Sequence, residues 1–359
     1  MQLVLLIPEL FWPAADDTEV LADLDCPALS AVLARGSFSR QMSMPFEDHL
    51  ARCFGLSQPA PLGALRRLGE ETVPASNVHG RWLAADPIHL RYHQERVILA
   101  DPSQFAIEID EAQQLVDGLN GFFGELGRFH LASPMRWYLE LAAGTPLEGF
   151  SPPGLSAVAG RVVDHLLPEI LSNRPLRNLF NEIQSLLHTH PINRQRQADG
   201  QVPVNGLWLW GGGRLESTPG ADFTAIWSRS RLARGLGHAA QIGTHELPPD
   251  WRTLVNQSGR DGNHLVVLEN LCMPTQYEDQ HAYREELHTL EQRWIAPIVA
   301  AMADGRVDSL IVQSPCVFGV TTWHYRPRDR WRVWRRPQSL DATARTLAAN
   351  NARTATLPR

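Results

Sequence analysis

The sequence predicts an α/β protein, because apolar runs typical of buried strands alternate along the chain with helical patterns. Three such runs span residues 2–7, 265–268 and 308–313. The first of them is apolar on both faces, as in a central strand of a parallel sheet that helices cover. One helical pattern opens at Pro27 and ends at Gly36, and a long one spans about 278–302. This alternation favours a mostly parallel, helix-covered sheet.

A different pattern between residues 76 and 149 predicts an inserted α+β domain. Short segments over 82–90, 96–100, 128–131 and 135–141 indicate strands, and the apolar stripe over 110–123 indicates a helix. The expected core is therefore discontinuous and covers residues 1–75 and 150–336. It includes a helix over 176–188 and the strand Gly206–Trp210. Residues 337–359 carry few apolar anchors and are expected to form a flexible tail.

Composition excludes several classes of function. The net charge is −6, and all 33 basic residues are arginines. Without lysine there is no Schiff-base chemistry and no lysine-bearing phosphate loop. The charge balance makes nucleic acid an unlikely partner. Four cysteines lie far apart without a CxxC pair, and no apolar stretch approaches the ~20 residues of a membrane span. We expect a cytoplasmic protein without a membrane partner.

Arginines interleave with tryptophans between Arg326 and Arg336. This pattern favours an edge strand with Trp331 and Val333 on its apolar face and arginines on the other. Two alternatives stay open. Arginine and tryptophan can bind single-stranded nucleic acid by phosphate pairing and stacking, and the segment can also contact a protein or a small anion.

The order of several motifs resembles the archaeal-type cofactor-independent phosphoglycerate mutases of the alkaline-phosphatase superfamily. His190–Arg196, Gly200 and the strand and turn Gly206–Gly211 match an HPxNxxR, a glycine and a WLWGxG. Ser230–Gly237 is similar to a dLxkGxG helix of those enzymes, and Glu108–Asn120 to a helix of their inserted domain. A bacterial group of Rpf-type regulatory proteins is more similar still. The resemblance runs from residue 1 to about 336 and implies an alkaline-phosphatase-like core with an inserted α+β domain.

The resemblance also implies a chemistry that depends on two divalent metal ions, manganese or zinc. In that superfamily aspartates and histidines hold the metals, which activate a serine or threonine that is transiently phosphorylated. The two cations clamp the attacking and leaving oxygens. The matching positions of this chain hold Pro8, Glu9, Phe46, Thr275, Asp279, Ser314 and His324.

Most of these side chains are unsuited to that role. Pro8 cannot ligate, and Glu9 reaches the ligand position only if the register slips. Phe46 stands about where the nucleophilic serine belongs, and Ser314 stands in place of an aspartate–histidine pair. His324 alone roughly matches a late histidine ligand. One or two ligands cannot hold two hard cations, each of which needs about four to six donors.

These departures predict a catalytically inactive relative that needs no cofactor and acts as a binding or regulatory protein. The partner is an unknown protein or a small anionic ligand. We expect Asn193, Arg196, Trp210 and Arg234 to line a site at the carboxyl ends of the strands. The alternative is that Asn193 and Arg196 brace the loop before the Trp208–Trp210 strand. The alternative function is a phosphomutase or phosphatase that uses two divalent metals.

Overall fold

A computed structural model describes residues 1–14, 17, 19–70, 80–93, 96–147, 149–150, 152–163, 172–258 and 261–355. The chain forms two compact units. Unit 1 comprises residues 1–49, 221–237 and 241–359, and unit 2 comprises residues 50–220 and 238–240. None of the helices in the described ranges combines the length and the apolar character that crossing a bilayer requires.

The described residues contain twelve strands. They are β1 Gln2–Leu6, β2 Ser37–Gln41, β3 Arg81–His93, β4 Arg96–Ala100, β5 Gly127–Ser133, β6 Arg136–Leu141, β7 Gly206–Gly213, β8 Ala225–Trp227, β9 Gly243–His245, β10 Asn263–Val267, β11 Ser309–Cys316 and β12 Gly319–Tyr325.

Thirteen α-helices lie in the same described ranges. They are α1 Pro27–Arg35, α2 Phe46–Cys53, α3 Leu62–Leu68, α4 Ile109–Phe122, α5 Leu155–Val158, α6 Arg174–Thr189, α7 Pro191–Ala198, α8 Arg231–Ala239, α9 Trp251–Ser258, α10 Cys272–Gln276, α11 Gln280–Leu290, α12 Ala296–Ala303 and α13 Leu340–Ala355. A π-helical turn, Glu291–Ile295, joins α11 to α12.

Unit 1 is built on a mostly parallel sheet with the strand order β2-β12-β11-β1-β10-β8-β9. Strand β1 pairs in parallel with β10 and β11, and β8 pairs in parallel with β10 and β9. Strand β12 runs antiparallel to β11 and β2. Leu3, Leu5 and Leu6 of β1 are fully buried, and each such leucine contributes about 1.5–3 kcal/mol of transfer free energy. The α/β fold predicted from the buried runs is confirmed.

Unit 2 contains a separate antiparallel sheet. Its long strand β3 pairs with β4, β6 and β7, and β6 also pairs with β5. One face of this sheet packs on α4 and α6 through buried residues that include Leu83, Leu119, Phe129 and Ile183. The side-chain period of two places the alternate residues of the same strands, Trp82 and Tyr138 among them, on the opposite face with Leu68 of α3.

The observed units differ from the predicted core and insert. The boundary expected at residues 75 and 76 lies outside the described residues. Helix α6 and strand β7, predicted for the core, belong to unit 2. Leu207 and Leu209 of β7 pack into the core of unit 2, and β7 pairs antiparallel with β3. The insert predicted as 76–149 is therefore too short, because the segment that carries β7 completes its sheet.

Two predictions for the end of the chain are also wrong. Leu340, Ala344 and Leu347 of α13 are buried in the core of unit 1, so this part of the expected tail 337–359 is a packed helix. The segment expected as an edge strand instead forms a 3-10 helix, Pro327–Trp331, and turns. Trp331 is 67% exposed.

Two arginine side chains of the basic segment contact the end of α1. Arg332 donates from Nη1 to the carbonyl of Arg35 at 2.9 Å, and Arg335 donates to the carbonyl of Gly36 at 3.2 Å. These guanidinium groups bond the carbonyls at the end of α1, where helix carbonyls lack intrahelical partners.

Candidate functional site

The parallel strands of unit 1 end side by side. Leu6 at the end of β1 pairs with Val267 of β10 and with Gln313 of β11. Trp227 at the end of β8 pairs with Val266. Residues that follow these strand ends therefore share one edge of the sheet, which is where open α/β sheets bind ligands.

The segment after β1 is held tightly by its neighbours. Glu9 has a φ of 57°, in the left-handed region that non-glycine residues rarely adopt. Its N–H donates to the carbonyl of Pro315 at 3.0 Å. Tyr283 donates its hydroxyl to the carbonyls of Glu9 and Leu10, at 3.1 and 2.8 Å. Burial, and then the charge of Glu9, raise the pKa of Tyr283 well above its usual value, so this hydroxyl keeps its proton.

The position after the parallel part of β11 has a structural role. Ser314 is fully buried. Its Oγ accepts from the N–H of Leu10 at 3.2 Å, and its carbonyl accepts from Oγ1 of Thr321 at 3.1 Å. Nearby Cys316 is a poor source of thiolate, because burial raises its pKa to about 12. The side chain of Ser314 thus ties the loop after β1 to the sheet.

Helix α2 begins where the resemblance places a nucleophile. Phe46, its first residue, is 8% exposed and has no hydroxyl. Within the same turn, Nε2 of His49 lies 3.1 Å from Oε1 of Gln313 on β11. Burial raises the pKa of Asp48. The helix therefore presents an apolar side chain at the position that phosphoryl transfer needs for an oxygen nucleophile.

The segment after β10 uses its polar side chains to build helices. Thr275 is 4% exposed, and its Oγ1 donates to the carbonyl of Leu271 at 2.7 Å. Asp279 caps α11, since its carboxylate accepts from the N–H of Ala282 at 3.0 Å. Capping of this kind stabilises a helix by about 1 kcal/mol. Neither side chain is directed to a shared ligand site by these bonds.

His324 lies away from the strand ends. It sits inside β12, opposite Ile311 and Ser37, whereas Ser314 pairs with Thr321. The three-residue separation along β12 corresponds to roughly 10 Å. Burial, followed by the charge of Arg326, lowers the pKa of His324. His324, the rough match to a late histidine ligand, therefore does not lie among the residues that directly follow the parallel strands.

The donor set does not fit the two divalent metals that the resemblance implies. Pro8 and Phe46 have no side-chain donor, and the hydroxyls of Ser314 and Thr275 bond to the backbone. Within the described ranges, no three histidine, cysteine, aspartate or glutamate side chains are grouped so that they could hold a metal ion. Two hard cations require far more oxygen and nitrogen donors than these positions supply.

Asn193 and Arg196 contact neighbouring segments of unit 2. Asn193 is 1% exposed, donates to the carbonyls of Leu187 and Val204, and accepts from the N–H of Val204. Arg196 is 2% exposed and donates to Glu111 and to the carbonyls of residues 106 and 202. The polar groups of both side chains bond to other residues of the protein, so the bracing alternative accounts for these contacts.

The other two predicted ligand residues have partners as well. Trp210 is 3% exposed in unit 2, and its Nε1 donates to Oδ2 of Asp86 at 2.8 Å. Arg234 lies on α8 in unit 1, where its Nη1 donates to Glu246 at 2.9 Å. Trp210 lies on β7, which belongs to the sheet of unit 2. Arg234 is the member of the predicted set that unit 1 contains.

A pocket that the sequence did not predict lies at the strand ends of unit 1. Its cavity volume is about 310 Å³, and its lining includes Ile7 after β1, Leu268 after β10 and Arg229 after β8. Glu286 and Arg293 come from the helical segment over α11 and the π-helical turn. The only signal in the sequence is an arginine two residues past a short strand, and thirty-three arginines make that signal weak.

Comparison with known proteins identifies what the chain is similar to. No protein-family model matches it. It is 27% identical over 240 residues to a 2,3-bisphosphoglycerate-independent phosphoglycerate mutase of Methanosarcina mazei, covering 62% of this chain and 58% of that protein. A probable enzyme of the same name from Geobacter sulfurreducens is 28% identical over 183 residues, covering 49% and 44%. The chain is therefore similar to phosphoglycerate mutases over part of its length.

The extent of the match is limited. The chain spans about half the length of the curated relatives it matches. Among solved structures, the PH0037 protein from Pyrococcus horikoshii aligns with 90% of this chain and 87% of its own, with a TM-score of 0.53 and 13% identity. At this identity the likeness concerns the fold alone.

Proposed function

We propose that this phosphoglycerate mutase-like chain does not catalyse metal-dependent phosphoryl transfer and acts as a binding or regulatory protein. The proposal includes a cytoplasmic location and a role like that of the Rpf-type regulatory proteins that the sequence resembles. The observation that carries it is the set of side chains at the strand ends of unit 1, where Phe46 and Ser314 replace reactive groups.

Two requirements of the chemistry support this proposal. A phosphorylated intermediate needs an oxygen nucleophile, and the first residue of α2 is Phe46. A two-metal clamp needs several carboxylates and imidazoles around one point. Ser314 and Thr275 instead bond backbone groups of their own surroundings. Of the expected positions, Glu9 and Asp279 carry a carboxylate, and Asp279 caps α11. Two carboxylates cannot hold two hard cations, each of which needs about four to six donors.

The cysteines are consistent with the proposed location. In the described part of the chain none of the four forms a disulfide, and Cys26 and Cys316 are buried. Burial raises the pKa of Cys26 to about 12 and that of Cys53 to about 11. Such thiols are unreactive and suit a reducing compartment, where structural disulfides are rare.

The decisive experiment measures metal binding and turnover on the same protein. Purified chain, stripped with a chelator, is titrated with MnCl₂ by calorimetry and then assayed with 2- and 3-phosphoglycerate for isomerisation and phosphate release. We expect no saturable uptake of two Mn²⁺ equivalents and activity at background. A Glu9→Ala variant is compared with Glu125→Ala, which removes a carboxylate on an exposed loop of unit 2.

The opposite result would establish the alternative function. Two bound Mn²⁺ together with metal-dependent turnover that falls at least tenfold in Glu9→Ala, and not in Glu125→Ala, would show an active phosphomutase or phosphatase. A tenfold change corresponds to only about 1.4 kcal/mol in the barrier, so the comparison detects the loss of a single ligand.

A further inference from the structure

The pocket at the strand ends of unit 1 has the position and size of a small-molecule site. Ile7 directly follows β1, Leu268 directly follows β10, and Arg229 is the second residue after β8. The cavity volume of about 310 Å³ falls at the lower end of the range of roughly 300–1,000 Å³ for ligand pockets. None of the positions expected for metals or a nucleophile lines it.

One wall of the pocket comes from a single helical face. Glu286, Leu290, Arg293 and Trp294 are spaced by four, three and one residues, which brings them to one side of consecutive turns. Arg293 and Trp294 belong to the π-helical turn Glu291–Ile295, a feature that occurs frequently at functional sites. Leu290 and Trp294 are largely buried, so this wall offers an apolar surface beside a charged one.

The two arginines of the pocket have no strong partner within the protein. Both Arg229 and Arg293 are exposed, and neither makes a hydrogen bond or an ion pair with the described residues. The pocket carboxylate, Glu286, accepts from Nδ2 of Asn270 at 2.8 Å. The pKa of Asp250 is lowered mainly by hydrogen bonds from Thr253, and the charge of Arg293 makes a smaller contribution. The lining therefore carries two cations against one carboxylate.

We propose that this pocket binds a small organic anion, with its carboxylate or phosphate group on Arg229 and Arg293 and its apolar body against Leu290 and Trp294. Guanidinium groups hold such anions through paired N–H donors, and an apolar wall adds affinity for a ring or a branched chain. This proposal goes beyond the proposed function and does not depend on it, because the metal and nucleophile positions lie outside the pocket.

Calorimetry with four probes tests the proposal on the full chain. Phenyl phosphate and phenylacetate carry both an anionic group and a ring, whereas inorganic phosphate lacks the ring and benzyl alcohol lacks the charge. We expect one of the first two to bind at least about tenfold more tightly than either of the last two. The stronger of the pair identifies whether the natural ligand carries a phosphate or a carboxylate.

Variants locate the binding. Arg229→Gln and Arg293→Gln should each weaken the best probe by at least about tenfold, or about 1.4 kcal/mol. Arg306→Gln is the matched control, since it removes an arginine that pairs with Asp304 outside the pocket. Both pocket arginines are exposed, so the variants should fold, and circular dichroism checks this.

Three outcomes would overturn the inference. The first is that no probe binds below about 10 mM, a weak affinity of under roughly 3 kcal/mol. The second is that binding is unchanged in both pocket variants. The third is that the control Arg306→Gln weakens binding as much as they do. None of these outcomes bears on metal binding or turnover, so the proposed function is judged separately.

Discussion

The arginines of unit 2 and the arginines of the pocket in unit 1 differ in what satisfies their charge. In unit 2, Nη1 of Arg66 lies 2.8 Å from Oδ1 of the fully buried Asp86, and Arg196 is buried against Glu111. In unit 1, Arg229 and Arg293 are exposed and bond none of the described residues. The arginine within a recognisable motif, Arg196, is structural, while the pocket arginines stand in no motif.

This difference follows from the physics of burial. A buried guanidinium must be paired, because an uncompensated buried charge costs several kilocalories per mole. Packing then determines which groups pair with it. The residues around it that are needed for this packing form a recognisable sequence motif. An exposed guanidinium is solvated and has no such requirement. A motif arginine is thus as readily a sign of packing as a sign of ligand binding.

The largest expected effect comes from breaking the buried pair of unit 2. Asp86→Ala leaves Arg66 and Nε1 of Trp210 without their acceptor, and we expect a loss of about 3–5 kcal/mol in the free energy of unfolding. Urea titration followed by tryptophan fluorescence measures it. Asp117→Ala, an exposed change on α4, should stay within about 0.5 kcal/mol. If the two variants unfold alike, the Arg66–Asp86 pair does not stabilise unit 2.

A slightly smaller loss of stability is expected for Arg196 on α7, and it tests whether this residue supports the fold or binds a ligand. Arg196→Ala removes donors to Glu111 and to two carbonyls, and we expect a loss of about 3 kcal/mol. Affinity for inorganic phosphate should not change. Arg194→Ala, an exposed arginine on the same helix, is the control and should be neutral for both quantities. A loss of phosphate affinity in the stable, folded fraction of Arg196→Ala would return this residue to the ligand site.

The pH dependence of unit 2 gives a third test. Burial by itself would raise the pKa of Glu70, but bonds from Arg136 and Tyr138 outweigh it and lower the pKa below the usual 4.5. Because the folded-state pKa is lowered, the stabilisation is present above about pH 4.5. It is lost as the pH falls through the folded value.

Urea unfolding at several pH values between 7 and 3 measures this contribution. The wild-type protein should lose more stability on acidification than Glu70→Gln, whose side chain does not titrate in that range. Equal losses in the two proteins would mean that the carboxylate of Glu70 is not held ionised by Arg136 and Tyr138.

The smallest expected effect on stability concerns the pocket arginines of unit 1. Arg229→Gln and Arg293→Gln should change the free energy of unfolding by less than about 0.5 kcal/mol, because exposed, unpaired side chains contribute little to stability. Thermal unfolding without added ligand measures this. A loss above about 1 kcal/mol in either variant would show that the pocket arginines have a structural role, and the contrast between the two units would disappear.

Local patterns in the sequence were sufficient for many elements. The apolar runs at β1, β10 and β11 and the stripe of α4 lie where they were predicted, within a few residues. Proline and glycine correctly mark the ends of α1, where Gly36 caps the helix. These features depend on side-chain period and backbone preference, which neighbouring residues determine.

The sequence also provided part of the information on the chemistry at the strand ends. Phe46 lacks a hydroxyl and Pro8 lacks a donor whatever the fold is, so their identities alone argue against a two-metal mechanism. The sequence did not predict where the side chains of Asn193, Arg196 and His324 lie in the fold. A motif names a residue type, but whether its side chain bonds the backbone, a neighbour or a ligand depends on segments far away in the chain.

What the sequence by itself determined is the α/β class, several of the strands and helices, and the residue types that stand at particular positions. The tertiary structure alone decided that β7 completes the sheet of unit 2, since a period of two specifies a strand but not its partner. It also decided the pocket, because Arg229 and Arg293 are 64 residues apart in the chain. Only the packing of the helical segment after β10 against the sheet edge brings them to the same cavity.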